Sequence, residues 1–366
     1  MQGLYIHIPF CKSRCIYCDF YSTTNLDLKS QYITALCREA GQRNDYLPGR
    51  TLKTIYLGGG TPSLLTTEDI EQLTNKIKSI FNISPDYEFT IEANPGDITH
   101  DRLQAWHKLG INRISLGIQT FNDLQLQFLH RRHTGLQAIQ AVRLAQQAGF
   151  DNISIDLIYG LPNQTIQDLK NDIHTALQLN IQHISTYCLT YEPETPLYTQ
   201  LQHKHVRQTD DDTLNYMYEM LITELTNHGF IHYEVSNFCL PDKYSRHNNA
   251  YWTGEPYLGI GAAAHSYNQK TRQYNENNLK KYIDGTHSIT IEHLTPQDHY
   301  NEFVMLRLRT AQGIYLPQLN DIQRQYCIAQ AQRYIAADQL IIQDNYLKIN
   351  RSGWHILDRI TADLMQ

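Results

Sequence analysis

Over its first two-thirds the chain alternates between two hydrophobic rhythms. Short apolar or period-two runs at 4–8, 52–57, 88–92, 113–118, 152–158 and 183–189 have the composition of strands. Between them, near 27–44, 67–80, 99–109, 134–148 and 165–179, apolar positions recur every three to four residues, as on one face of a helix. Thr67 ahead of Glu68 and Asp69 marks one helix start, and Gly149 after Ala148 marks a helix end. Six such βα units predict an α/β domain with parallel strands, and the pattern alone leaves a doubly wound sheet and a barrel both open. The residues able to do chemistry collect where the strands stop, at Cys11, Gly58 to Thr61, Glu92 to Pro95, Gln119 and Gly160. That placement fits the C-terminal mouth of a barrel-like sheet.

Beyond residue 210 the rhythm changes. A helical pattern through Leu214, Met217, Tyr218, Leu221 and Leu225 stops at Gly229, and an aromatic, glycine-containing stretch follows from Tyr233 to Tyr274. The last part predicts helix, helix, hairpin, helix, with Asp344-Asn345 at the hairpin turn, an order that resembles a small winged-helix unit. Three regions follow: 1–235 as the main α/β domain, 236–290 as an irregular connection, and 291–366 as the C-terminal unit. The wing carries Asp344 and a single lysine, which favours packing or protein interaction over DNA binding.

Composition narrows the function classes. At 366 residues, 41% hydrophobic and 19% charged, the chain reads as globular. A formal charge of −6 argues against a large nucleic-acid footprint. No apolar run is long enough to span a bilayer, and the strand-like 4–8 leaves no room for a signal peptide, so a cytoplasmic protein is expected. Seven cysteines, an odd number, fit a reducing compartment.

Three of the seven lie at Cys11, Cys15 and Cys18, in C-x3-C-x2-C spacing. Three close thiolates can hold three corners of an iron–sulfur cube and leave one iron open; a structural zinc site is the plainer alternative, although it would normally bring a second ligand pair. Gly58-Gly59-Gly60-Thr61 follows a hydrophobic run, where glycine admits a ligand close to the backbone or simply makes a tight βα turn. Glu92 ends the next strand, and Asp156 lies between Ile155 and Leu157, where a carboxylate needs a partner; Arg131 is the candidate. His247-Asn248-Asn249-Ala250-Tyr251-Trp252 combines an imidazole with two aromatics in a loop near Gly254, Gly259 and Gly261, a surface suited to a flat ligand. His265 is a second candidate imidazole.

The segment from Tyr5 to Phe20, with Cys11, Cys15 and Cys18, resembles the radical S-adenosylmethionine superfamily, and within it the oxygen-independent coproporphyrinogen III oxidase-like family. The resemblance runs over nearly the whole chain. It implies a six-stranded partial β/α barrel, a 4Fe–4S cluster on the three cysteines, and S-adenosylmethionine bound by Tyr5, Tyr17, Gly59, Gly60, Thr61, Glu92, Gln119, Arg131 and Asp156. Phe20 stands where the oxidase signature has a further cysteine, and His247 to Trp252 matches the H-N-x-x-Y-W signature of the haem chaperone branch. That branch implies haem as a third ligand, on His247, Tyr251 and Trp252 with His265 as second candidate, and no catalytic residue of a coproporphyrinogen oxidase. It also implies a haem-accepting partner, among them membrane-associated respiratory enzymes, and an electron donor if the cluster is reduced. A homodimer is compatible with it. The alternative is the oxidase itself, making protoporphyrinogen IX by radical chemistry.

Overall fold

The computed structural model describes residues 2–366. Its centre is six parallel strands that lie side by side in chain order: β1 (Gly3–Ile8), β2 (Thr51–Gly59), β3 (Asn82–Ala93), β4 (Arg113–Gln119), β5 (Ile153–Tyr159) and β6 (His183–Cys188). Parallel neighbours need crossovers, and the helices supply them. These are α1 (Lys29–Gln42), α2 (Thr67–Ile80), α3 (His100–Leu109), the short α4 (Asp123–Phe128) with α5 (Gly135–Gln147), and α6 (Ile166–Gln178). Capping sets where they begin. Thr66, one residue before the expected start, closes a capping box with Asp69, and Thr134 and Thr165 do the same with Gln137 and Asp168. Period-two alternation sets one core face on each strand: Leu4, Ile6 and Ile8, Ile114, Leu116 and Ile118, and Ile153 and Ile155 are all fully buried.

The sheet does not stop at six strands, as the expectation of a six-stranded partial barrel required. After α7 (Pro196–Gln202) and α8 (Asp211–Asn227), a hairpin of β7 (Ile231–Glu234) and β8 (Asn237–Cys239) adds antiparallel to β6. At the other edge, β9 (Tyr257–Ile260) pairs parallel with β1, and β10 (His265–Tyr267), β11 (Thr271–Asn275) and β12 (Ile289–His293) continue antiparallel, giving a 12-stranded mixed sheet. The region 236–290 is therefore neither irregular nor a connection. It holds β8 to β11 and the start of β12 together with α9 (Arg246–Trp252) and α10 (Leu279–Asp284). A buried carboxylate fastens this added edge to the first helix. Glu39 on α1 accepts from the Gly261 N–H at 2.8 Å, the Tyr282 hydroxyl at 2.6 Å and the Asn275 amide at 2.8 Å.

The C-terminal part runs α11 (Pro296–Leu308), β13 (Ile314–Tyr315), α12 (Asp321–Ala336), β14 (Leu340–Gln343), β15 (Tyr346–Ile349) and α13 (Leu357–Leu364), with a three-stranded antiparallel sheet in the order β13-β15-β14. Asp344 and Asn345 both have positive φ, 53° and 65°, as a two-residue hairpin turn demands. Its apolar residues, among them Val304, Leu308, Cys327 and Ile360, join the same continuous core as the main sheet. Among the described residues no helix is long and apolar enough to cross a membrane.

Candidate functional site

Two neighbouring cavities open on the sheet, one at the C-terminal ends of β2 to β6 and one against β1 and the added edge β9 to β11. One, of about 480 Å³, is lined by all three motif cysteines and by Tyr17, Gly59, Gly60, Thr61, Glu92, Gln119, Arg131 and Asp156. The segment bearing the cysteines is pinned by Ile16, which is buried with Leu129, Leu161 and Leu197 in a small apolar cluster of its own. The Ile16 N–H donates to the Leu129 carbonyl at 3.4 Å, and the Ile16 carbonyl accepts from the Leu197 N–H at 2.9 Å. A second anchor is Asp97, whose side chain is only 1% exposed. It receives both arms of the Arg132 guanidinium, at 3.2 and 2.8 Å, with the Ser63 hydroxyl at 3.0 Å and Lys12, next to Cys11, at 3.3 Å.

Donors already face the sulfurs. The Thr61 hydroxyl reaches Cys11 Sγ at 3.5 Å, and Arg131 reaches Cys15 Sγ at 3.4 Å. Burial pushes the Cys11 thiol up and the Cys18 thiol up to about 11, so both are protonated until a metal takes the thiolate. Among the described residues no three His, Cys, Asp or Glu side chains converge as a single ion requires. Three thiols spread along one cavity, two of them met by hydrogen-bond donors, suit a multi-iron cluster better than a lone zinc ion.

The glycine turn is shaped by this site. At Gly60 a Cβ would meet the Phe10 carbonyl at 2.9 Å and Cys11 Sγ at 3.0 Å, and Gly59 has φ +112° with the His7 ring 2.6 Å from where its Cβ would stand. Glu92 accepts from the Tyr56 hydroxyl at 2.8 Å and the Gly59 N–H at 3.1 Å, while burial pushes its carboxyl up to about 7. Gln119 carries a positive φ of 73° at a register shift between β4 and β5, a strained conformation that a functional site can maintain.

Three expectations change. Arg131 forms no ion pair with Asp156: its guanidinium is taken by the Gly117 carbonyl and Cys15 Sγ. Asp156 has the Ser115 hydroxyl at 3.5 Å instead, and burial pushes its carboxyl up to about 6. Tyr5 lines the other cavity, donating toward His7 Nδ1 at 3.1 Å. The third concerns the His247 segment, which is a helix and not a loop. Its first two N–H groups, of Arg246 and His247, are capped by the buried Glu88 carboxylate at 3.0 Å each. His247 is 1% exposed, with Nδ1 2.8 Å from the Thr54 hydroxyl and Nε2 2.8 Å from the Tyr251 hydroxyl. Burial pushes its imidazole down to about 3. Of the H-N-x-x-Y-W residues Tyr251 lines the second cavity, and one helical turn puts His247 behind it. Arg246 and Lys243 turn away as well, to Asp86 and Asp151.

That second cavity, of about 470 Å³, is walled by Tyr5, Phe20, Tyr21, Tyr251, Tyr257 and Tyr267, with His265 and the Arg272–Glu302 ion pair (2.6 Å) also lining it. Its size is within the roughly 300–1,000 Å³ usual for small-molecule sites. Phe20, 62% exposed, is the one residue the two cavities share. Sequence reasoning missed this pocket because its walls come from strands far apart in the chain and joined only by the β9–β1 pairing.

A sequence profile of the Radical SAM superfamily matches residues 5–176, and one of the HemN C-terminal domain matches residues 294–356. The chain is 37% identical over 329 residues to heme chaperone HemW of Bacillus subtilis, covering 86% of this chain and 85% of the relative. It is 32% identical over 372 residues to heme chaperone HemW of Mycobacterium tuberculosis, covering 99% and 94%. The chain belongs to the HemW family. The crystal structure of coproporphyrinogen III oxidase (HemN) from Escherichia coli, a radical SAM enzyme, superimposes with a TM-score of 0.86 over 100% of this chain and 90% of that one, at 23% identity. That likeness shows the same α/β fold with a C-terminal domain, and the N-terminal profile marks the α/β part as radical SAM. The N-terminal profile spans β1 to α6, the elements that build the cysteine-lined cavity.

Proposed function

We propose that this chain is a haem chaperone that holds a 4Fe–4S cluster and S-adenosylmethionine in the cysteine-lined cavity, takes haem into the aromatic cavity beside it, and passes the haem to an acceptor protein. Membership of the HemW family supports this, and the observation that carries it is the separate aromatic cavity next to the cysteines, divided from them by Phe20. In this reading β1 to β6 are the partial barrel of the superfamily, and the winged-helix-like 291–366 is a packing or interaction module. Cys11, Cys15 and Cys18 hold three irons, and the fourth is left for S-adenosylmethionine. A cluster held there, once reduced by an external one-electron donor, would supply the electron for reductive cleavage of the sulfonium. Gly59, Gly60 and Thr61 form one wall for the cofactor, Glu92 offers carboxylate oxygens to ribose hydroxyls, and Tyr17, Gln119, Arg131 and Asp156 complete the pocket. Seven free cysteines fit the reducing cytoplasm as its place of work.

The test is anaerobic reconstitution followed by two parallel assays. Stoichiometric haem uptake, release to a haem-free acceptor and no product from coproporphyrinogen III are expected. Protoporphyrinogen IX formed over multiple turnovers would instead make the chain an oxidase.

A further inference from the structure

We propose that haem iron in the aromatic cavity is taken by the imidazole of His265, and that His247 acts only through Tyr251, as a positioning residue. The assignment rests on the haem-chaperone reading and says which group makes the bond.

An axial imidazole must present a ring nitrogen with a free lone pair to the cavity. Two histidines, His7 and His265, line this one, and His247 lies behind its wall. His7 has Nδ1 3.1 Å from the Tyr5 hydroxyl and Nε2 3.0 Å from the Tyr21 carbonyl; the carbonyl can only accept, so Nε2 carries the proton and Nδ1 is already an acceptor. His247 has both nitrogens occupied, by Thr54 and Tyr251, and does not reach the cavity wall. To bind iron either of these rings would have to give up a buried hydrogen bond and rotate in a packed core, leaving a hydroxyl unsatisfied. His265 needs neither change. It lines the cavity, is exposed, and neither ring nitrogen makes a hydrogen bond.

The backbone holds His265 in place. Gly261 and Ala263, with φ of 113° and 62°, turn the chain out of β9, and the Asn275 N–H donates to the Ala264 carbonyl at 3.0 Å. His265 then pairs with Tyr274 across the β10–β11 ladder, and the two rings stack at 5.3 Å and 25°. That contact fixes the ring while leaving its nitrogens free. His247, by contrast, fixes the Tyr251 ring against Tyr257 (4.7 Å, 79°) as part of the cavity wall. This explains why a histidine and a tyrosine four residues apart share one helix turn.

The experiment uses the full chain with added ferric and ferrous haem, under anaerobic conditions, for the wild type and the variants His265→Ala, His265→Met and His247→Gln. Optical and paramagnetic resonance spectra report the ligand, and cluster reconstitution with thermal melting reports folding. The expected result is that His265→Ala loses the imidazole signature, free imidazole restores it, and His265→Met shifts the ferrous spectrum to a thioether pattern. His247→Gln should keep imidazole ligation and bind about 10-fold more weakly, because the hydrogen bond that holds the Tyr251 wall is lost. An unchanged spectrum in His265→Ala, a phenolate signature in the wild type, or loss of imidazole ligation only in His247→Gln would overturn the ligand assignment and leave the chaperone reading standing. A wild-type chain that takes up no haem would overturn both.

Discussion

The two neighbouring cavities are nearly equal in volume and opposite in construction. The cysteine-lined one is made of strand ends and βα turns, and its walls are backbone, carboxylates and an arginine already aimed at sulfur. The aromatic one is made of side chains from β1 and from the added edge β9 to β11, and its few polar groups are mostly engaged with each other. The first is suited to hold a charged cofactor in one orientation. The second offers area and little fixed polarity, which suits a flat cargo that must also leave.

The largest effect should come from removing a cysteine. In Cys15→Ala the iron and sulfide of the reconstituted cluster should be lost, while haem uptake in the neighbouring cavity persists; elemental analysis and the Soret band check the two separately. Loss of both would mean the cavities are not independent. Next comes the glycine turn. Because a Cβ at Gly60 would press on Cys11 Sγ as well as on the Phe10 carbonyl, Gly60→Val should lose both cluster and S-adenosylmethionine. Glu92→Gln should weaken only S-adenosylmethionine, as calorimetry on the reconstituted protein would record.

A third effect is on stability. Asp97→Ala removes the acceptor of Arg132, Lys12 and Ser63, and should cost about 2 kcal/mol, since one member of a buried, hydrogen-bonded pair is deleted while Arg132 stays partly solvated. Burial alone would raise the Asp97 carboxyl, but Arg132, Ser63 and Lys12 together outweigh it and the net shift is downward. Its contribution is thus present above the ordinary carboxylate range and is lost as the pH falls through the lowered value; urea melts at acid pH would show this. Glu92 behaves oppositely. Its carboxyl is raised from 4.5 to about 7, so the folded apoprotein holds a proton the unfolded chain has released, and stability should fall between those pH values. Glu92→Gln should flatten that slope. The smallest effect is expected from Phe20→Ala, where an exposed ring is lost: stability should change by about 0.5 kcal/mol or less, with a measurable shift in the bound-haem spectrum.

The difference between the cavities also decided how much could be read from sequence. Cys11 to Cys18, Gly58 to Thr61, Glu92 and Gln119 were legible because each sits in a contiguous motif where a periodic strand ends, and a parallel sheet brings consecutive strand ends together. The first residues of β3 were missed because Ser84-Pro85-Asp86 breaks the apolar rhythm, although Asn82 and Ile83 do pair with β2. The H-N-x-x-Y-W segment misled for a different reason. Its composition reads as an exposed aromatic loop, but Glu88, about 160 residues earlier in the chain, caps it into a helix and Thr54 takes the imidazole. No local pattern encodes those partners. Arg131 lines the cysteine-lined cavity but turns to the Gly117 carbonyl and Cys15 in place of Asp156, a choice that no local pattern encodes.

The central claim is that cofactor and cargo occupy separate cavities at the same time. Its most direct test is to titrate haem into protein already reconstituted with the cluster and saturated with labelled S-adenosylmethionine, and to count both ligands after desalting. One haem per chain with the S-adenosylmethionine retained is the predicted result. Haem uptake that expels S-adenosylmethionine mole for mole would place both in one cavity and contradict the account.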